Sequence, residues 1–81
     1  MPAEPLYEGP AHEATFIVPS AGAVRFGFSD PRASGYVRSY DGVLARVWPG
    51  ARLVLPAGQH VLVMYDPKLV TRVSITFEPH L

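Results

Sequence analysis

The sequence predicts an all-β domain: a small antiparallel β-sandwich or partly closed barrel of about seven short strands, with an extended N-terminal arm. Three observations predict it. Nine prolines and seven glycines are spread along 81 residues, so no helix-length window keeps an apolar 3.6-residue period uninterrupted. The runs between them are rich in Val, Ile, Phe, Tyr and Thr, whose branched or planar side chains suit a pleated surface. Several of those runs alternate with period two, the pattern of a strand with one face in a core.

Met1 to Glu13 reads as an arm (residues 1–13), followed by a single β domain (residues 14–81). Pro2, Pro5 and Pro10 block helix, Gly9 loosens the chain, and Leu6 and Tyr7 are the arm's apolar anchors. A frayed terminus is the competing reading. The first strand is expected over Ala14 to Val18, with Ala14, Phe16 and Val18 on one face, before a Pro19-Ser20-Ala21-Gly22 turn. Ala23 to Ser29 follows, with Val24, Phe26 and Phe28 on one face and Arg25, Gly27 and Ser29 on the other. Asp30 to Gly35 is a loop opened by an Asp-Pro pair.

Tyr36 to Tyr40 and Val43 to Trp48 form a hairpin through Asp41-Gly42, the pair a type I′ turn favours. Trp48-Pro49-Gly50-Ala51 predicts a type II turn, with Pro setting the first φ and Gly supplying the positive second one. Ala51 to Leu55 ends at Pro56-Ala57-Gly58, and His60 to Tyr65 ends at Asp66-Pro67-Lys68. The last strand, Leu69 to Phe77, faces Leu69, Thr71, Val73, Ile75 and Phe77 one way. The expected core is Phe16, Val18, Val24, Phe26, Phe28, Val43, Val47, Leu53, Leu55, Val61, Val63, Val73, Ile75 and Phe77.

Seven basic and seven acidic residues cancel, which argues against a nucleic-acid groove or an anionic membrane as partner. The N-terminus lacks the basic start and apolar run of a signal peptide. The longest strongly apolar stretch, Val61 to Tyr65, is far short of the ~20 residues of a membrane span. There are no cysteines, so no disulfide or thiolate–metal staple is expected. In a domain this small, apolar burial and chain entropy nearly cancel, leaving oligomerisation or docking as the source of extra stability.

No cofactor, metal or catalytic residue is expected. His12, His60 and His80 show no ligand spacing, and His60 opens a strand where an exposed polar residue is expected. Ser20, Ser29, Ser34, Ser39 and Ser74 lack a nucleophile-elbow context. Asp30, Asp41 and Asp66 each precede Pro or Gly, so turn chemistry accounts for them. The chain is therefore read as a non-enzyme.

The arginines carry the interaction signal. Six of the seven basic residues are Arg, and Arg25, Arg38, Arg46, Arg52 and Arg72 fall on strand faces opposite the apolar stripes. Arg38 shares its face with Tyr36 and Tyr40, and Arg46 with Leu44 and Trp48. Arginine beside large aromatics is the composition of interface hot spots. A codon bias replacing Lys by Arg gives the same composition without function.

The stretches Val24-Arg25-Phe26-Gly27-Phe28, Val47-Trp48-Pro49-Gly50-Ala51-Arg52-Leu53-Val54-Leu55-Pro56-Ala57-Gly58 and Thr71-Arg72-Val73-Ser74-Ile75-Thr76-Phe77 resemble short all-β virion proteins of tailed bacteriophages, which decorate or cement capsids or sit in the tail. In those proteins a "PG…LxLPAG" connection precedes a hairpin ending in a "TxVxVTF"-like strand. The resemblance covers about two thirds of the chain; the Arg- and Pro-rich first half departs from it. It implies a structural role, often as a homotrimer on the head surface with an N-terminal arm gripping the shell, and it transfers no binding residue.

The sequence is thus read as a structural interaction protein, a capsid decoration or cement subunit at the virion surface or otherwise cytoplasmic. Its partners would be itself, as a homotrimer, and a larger protein shell. The interface is assigned to Leu6, Tyr7, Arg25, Tyr36, Arg38, Tyr40, Arg46, Trp48 and Arg72. The alternative is a binding module for carbohydrate or peptide with Tyr36, Tyr40 and Trp48 as a stacking platform, and a small subunit of a cellular complex is a third reading.

Overall fold

In a computed structural model the described residues are 3–40, 42–66, 68–69 and 71–78. The strands are β1 (Glu4–Pro10), β2 (Glu13–Val18), β3 (Gly22–Phe28), β4 (Gly35–Ser39), β5 (Gly42–Val47), β6 (Arg52–Leu55), β7 (Gly58–Met64) and β8 (Arg72–Glu78). They form two four-stranded antiparallel sheets, the first ordered β1-β8-β3-β6 and the second β2-β7-β4-β5. The pairs β1–β8, β2–β7, β3–β6 and β4–β5 trace one long hairpin ribbon folded over itself, and the β3–β8 and β4–β7 pairs complete each sheet. This winding is a jelly roll, a two-sheet sandwich with open edges and not a closed barrel.

The segment expected as an arm is, over Glu4–Pro10, edge strand β1, paired with β8 from Glu4↔Phe77 to Pro10↔Arg72. Its prolines suggested a free arm because proline cannot donate to a ladder. An edge strand tolerates that loss, and the register shift between Pro5 and Tyr7 absorbs the irregularity. Leu6 and Tyr7 are half-buried against the core and anchor the strand itself; the Tyr7 hydroxyl donates to the Pro10 carbonyl at 3.2 Å. Seven expected strands therefore become eight. The other seven lie where expected, their ends displaced by three residues at most.

Turn chemistry follows the sequence closely. Gly50 has φ +85°, and the Ala51 N–H donates to the Trp48 carbonyl at 2.9 Å, as the type II turn requires. Asp30 Oδ1 accepts the Arg32 N–H at 2.8 Å and Asp66 Oδ1 the Lys68 N–H at 2.9 Å, both turns built by the aspartate side chain. In the β4–β5 hairpin Ser39 pairs with Gly42, so Gly42 belongs to β5 and Tyr40 stands in the connection. The type I′ expectation rests on Asp41, which lies outside the described residues.

The core fills the space between the sheets. Phe16, Val18, Val24, Phe26, Val47, Leu55, Val73, Ile75 and Phe77 are buried there, with Phe28 and Leu53 half-buried against them. Phe16 and Phe26 meet edge to face across the sheets, centroids 5.9 Å apart at 74°, the arrangement that ring quadrupoles favour.

Three expected core residues point outward. Val43 is 68% exposed because Leu44 is an extra residue in β5, at the register shift between Val37 and Arg38. That bulge sets Val43 opposite the exposed Arg38. Val61 and Val63 lie on the outer face of β7, whose inward residues are His60, Leu62 and Met64. Phe16 is opposite His60 and Ala14 opposite Leu62, and directly opposed residues share a face, so the parity of β2 decides that of β7.

His60 is consequently a core residue, 2% exposed, where an exposed polar side chain was expected. Its ring stacks on Phe16 at 5.7 Å and 21°. Nδ1–H donates to the Gly58 carbonyl at 3.0 Å, leaving Nε2 buried without a hydrogen-bond partner among the described residues. An unpaired buried nitrogen is a standing cost, and leucine removes it together with the Nδ1–H bond to Gly58, two contributions of similar size and opposite sign. His60→Leu is therefore expected within about 1 kcal/mol of wild type in thermal denaturation, whereas His60→Ala loses about 2 kcal/mol by opening a cavity. A loss on His60→Leu as large as that on His60→Ala would contradict this balance.

Candidate interaction face

The outer face of the second sheet is built from alternate residues of its strands, and the register aligns them in rows. One row runs Glu13, Val63, Tyr36, Arg46 from β2 to β5; the next runs Thr15, Val61, Arg38, Val43. Ile17 continues the β2 side and is 64% exposed. Just beyond the end of β7, Tyr65 packs against Tyr36 with centroids 5.3 Å apart. The Arg46 guanidinium lies 5.6 Å from the Tyr65 ring centroid, within cation–π range. Leu44 and Trp48 are exposed at and after β5, and Tyr40 stands fully exposed in the β4–β5 connection. A depression of about 380 Å³ between Tyr40, Arg38, Gln59 and Val61 indents this face. Its donors suit carboxylates and carbonyls, while its valines and aromatics suit apolar side chains.

The opposite sheet carries a different surface. Arg25 and Arg52 both reach the Glu78 carboxylate, at 3.4 and 3.0 Å, and Arg72 pairs with Glu8 at 3.8 Å. Ser74 and Thr76 lie between these pairs on β8. An open groove of about 410 Å³ runs over Gly27, Ser29, Ser74 and Arg72. This face answers its own charges, as solvated sheet surfaces do. In the loop after β3, Arg32 hydrogen-bonds the Asp30 carboxylate through Nε at 3.1 Å and Nη2 at 2.9 Å. That side-chain bond holds the Asp30 carboxyl below its ordinary range and lifts the Arg32 guanidinium above its own.

The fold divides the nine residues assigned from sequence. Tyr36, Arg38 and Arg46 come together on the second sheet, with Tyr40 and Trp48 exposed at its margins. Arg25 and Arg72 lie on the first sheet in ion pairs, and Leu6 and Tyr7 support the core. Sequence reasoning missed Ile17, Val61, Val63 and Tyr65. The signal available for β7 was that both parities of His60–Tyr65 are largely apolar, which marks a strand with two occupied faces. Among the described residues no group of three His, Asp or Glu side chains gathers as a metal site, and no helix is long and apolar enough to cross a membrane. Comparison with protein-family models, with characterised proteins and with solved structures finds no match to this chain.

Proposed function

We propose that the chain is a structural interaction subunit that docks the outer face of its second sheet on a partner protein. The observation that carries this reading is the contrast between the two sheets. One face pairs its charges internally; the other exposes Ile17, Val43, Leu44, Trp48 and Tyr65 around two arginines. Four strands about 4.8 Å apart and six residues long, at about 3.3 Å each, give a face on the order of 400 Å² in projection. On that face exposed apolar side chains stand among Thr15, Arg38 and Arg46, the mixed composition of a protein–protein contact.

The fitting partner is a protein surface with apolar groups flanked by carboxylates, placed to meet Arg38 and Arg46. The resemblance to phage virion proteins favours a shell as that partner, which makes a capsid decoration or cement subunit the specific form of the proposal. Residues Glu4–Pro10 are engaged in β1, so the grip is assigned to the sheet face and not to an arm. The exposure of Tyr40 and Trp48 favours carbohydrate as the second reading. However, those rings stand at opposite ends of β5, about 20 Å apart for six residues, and Tyr36 leans on Tyr65, so they do not make one stacking platform. A glycan array is expected to show no binding.

The test compares Val61→Glu on the proposed face with Thr76→Glu on the other sheet, by size-exclusion chromatography of extracts from cells that make the chain. Wild type and Thr76→Glu are expected in a high-mass fraction, and Val61→Glu is expected at low mass, released from the partner. Equal behaviour of the two variants would overturn the assignment of the face.

A further inference from the structure

The sandwich has four edge strands: β1 and β6 in the first sheet, β2 and β5 in the second. An edge strand offers unpaired N–H and C=O groups to other chains, and soluble proteins blunt such edges. Three of these edges are blunted. β1 carries Pro5 and Pro10 and a register shift. β5 is broken by the Leu44 bulge and carries Arg46. β6 has four residues, Arg52–Leu55, begins with an arginine and is followed by Pro56.

β2 carries one charge, Glu13 at its first residue, and none of the other devices. Its sequence Glu13-Ala14-Thr15-Phe16-Ile17-Val18 contains no proline, lysine or arginine, and it pairs with β7 through six consecutive residues without a shift. The Met64 N–H donates to the His12 carbonyl at 2.9 Å. Since backbone groups alternate in direction along a strand, residues 14, 16 and 18 face β7, and Glu13, Thr15 and Ile17 present theirs at the free edge.

We propose that this edge pairs with β2 of a second copy of the chain, joining two second sheets into one continuous eight-stranded sheet. Antiparallel two-fold pairing centred on Thr15 is self-complementary. It sets Thr15 beside its own copy and Glu13 beside Ile17 of the other chain. The two Glu13 residues then lie four residues apart along the seam, about 13 Å, so the like charges do not meet. The interface is isologous and closes at two, because the bulged β5 edge at the far side offers no matching strand. The two outer faces become coplanar, which makes the dimer bivalent toward a repeating partner surface. The seam is made by backbone groups of β2, whose side chains Glu13, Thr15 and Ile17 border the docking face; Val61→Glu, on that face and away from the edge, tells the two proposals apart.

The test is analytical ultracentrifugation from 1 to 500 μM together with amide hydrogen exchange, for wild type, Thr15→Pro, Ile17→Glu and Val61→Glu. The free-edge N–H of Thr15 has no partner among the described residues, so proline removes a bond made only across the seam. Wild type and Val61→Glu are expected to reach twice the chain mass, with the Glu13, Thr15 and Ile17 amides protected at high concentration and released on dilution. Thr15→Pro and Ile17→Glu are expected to stay at 8.8 kDa. Ile17→Glu keeps every backbone group and sets a carboxylate beside Glu13 of the other chain at both ends of the seam, so it serves if the proline variant fails to fold. A wild type of single-chain mass at 500 μM with those three amides unprotected would overturn the proposal, as would a dimer that survives Ile17→Glu. Loss of the dimer in Val61→Glu alone would move the contact to the face and overturn edge pairing.

Discussion

Phe26→Ala is expected to cost about 3–5 kcal/mol, the range for emptying a fully buried aromatic site. Phe26 is 0% exposed on β3, a strand flanked by β8 and β6, and its ring meets Phe16 of the other sheet. Deleting it removes burial and the edge-to-face contact that joins the two sheets. Small domains are stable by about 0.05–0.15 kcal/mol per residue, on the order of 4–12 kcal/mol for a chain of this length. The substitution therefore consumes a large share of that stability and lowers the melting temperature by roughly 15–30 °C. Val54→Ala on the exposed side of β6 is expected to change stability by less than about 0.5 kcal/mol. Urea denaturation of the two variants checks both. A Phe26→Ala loss below about 1 kcal/mol would contradict the placement of this ring between the sheets.

Gly35→Ala carries the second large effect, and here the cause is backbone. Gly35 begins β4 opposite Met64 of β7. A Cβ at this position would press on the Val63 carbonyl oxygen and lie 3.2 Å from the Met64 Cα. Neither atom belongs to a side chain that can turn away, so β4 and β7 must separate in the middle of the second sheet. The expected cost is about 3 kcal/mol, the upper part of the range for overpacking. Gly27 on β3 is the matched control: its Cβ would meet the Ser74 Cβ at 3.7 Å, an ordinary contact. Gly27→Ala is expected to be neutral or to gain up to about 1 kcal/mol by restricting the unfolded chain. Equal stability of the two alanine variants would contradict the close approach of β4 to β7.

The residues differ in how much they reveal from sequence, for identifiable reasons. Val24-Arg25-Phe26-Gly27-Phe28 alternates cleanly because one face of β3 is wet and the other dry, so both strand and face are legible. Trp48-Pro49-Gly50-Ala51 is legible because the turn needs positive φ at Gly50, a local requirement met by a local residue. The β7 face is not legible: His60-Val61-Leu62-Val63-Met64 is nearly apolar on both parities, and the choice is made by pairing with β2, more than forty residues away. His60 went unseen as a core residue for the same reason. Val43 changed face because one extra residue, Leu44, inserts a bulge that no proline or glycine announces. β1 was hidden by Pro5 and Pro10, which forbid a central strand and are compatible with an edge.

The candidate face was half legible. The sequence pattern places Arg38 with Tyr36, and Arg46 with Leu44 and Trp48, and the hairpin brings those two strands together. The contributions of β2 and β7 depend on long-range pairing, and so does the separation of Arg25 and Arg72 onto the other sheet. Tyr65 is joined to the site only by its contacts with Tyr36 and Arg46, which no local pattern encodes.

The central claim is that the outer face of the β2-β7-β4-β5 sheet is the working surface. The most direct measurement places a photo-activatable phenylalanine at position 36 on that face, and separately at position 76 on the opposite sheet, in cells that make the chain. The account predicts a discrete protein adduct from position 36, identified by mass spectrometry, and none from position 76. Adducts from position 76 alone, or from neither position, would contradict it.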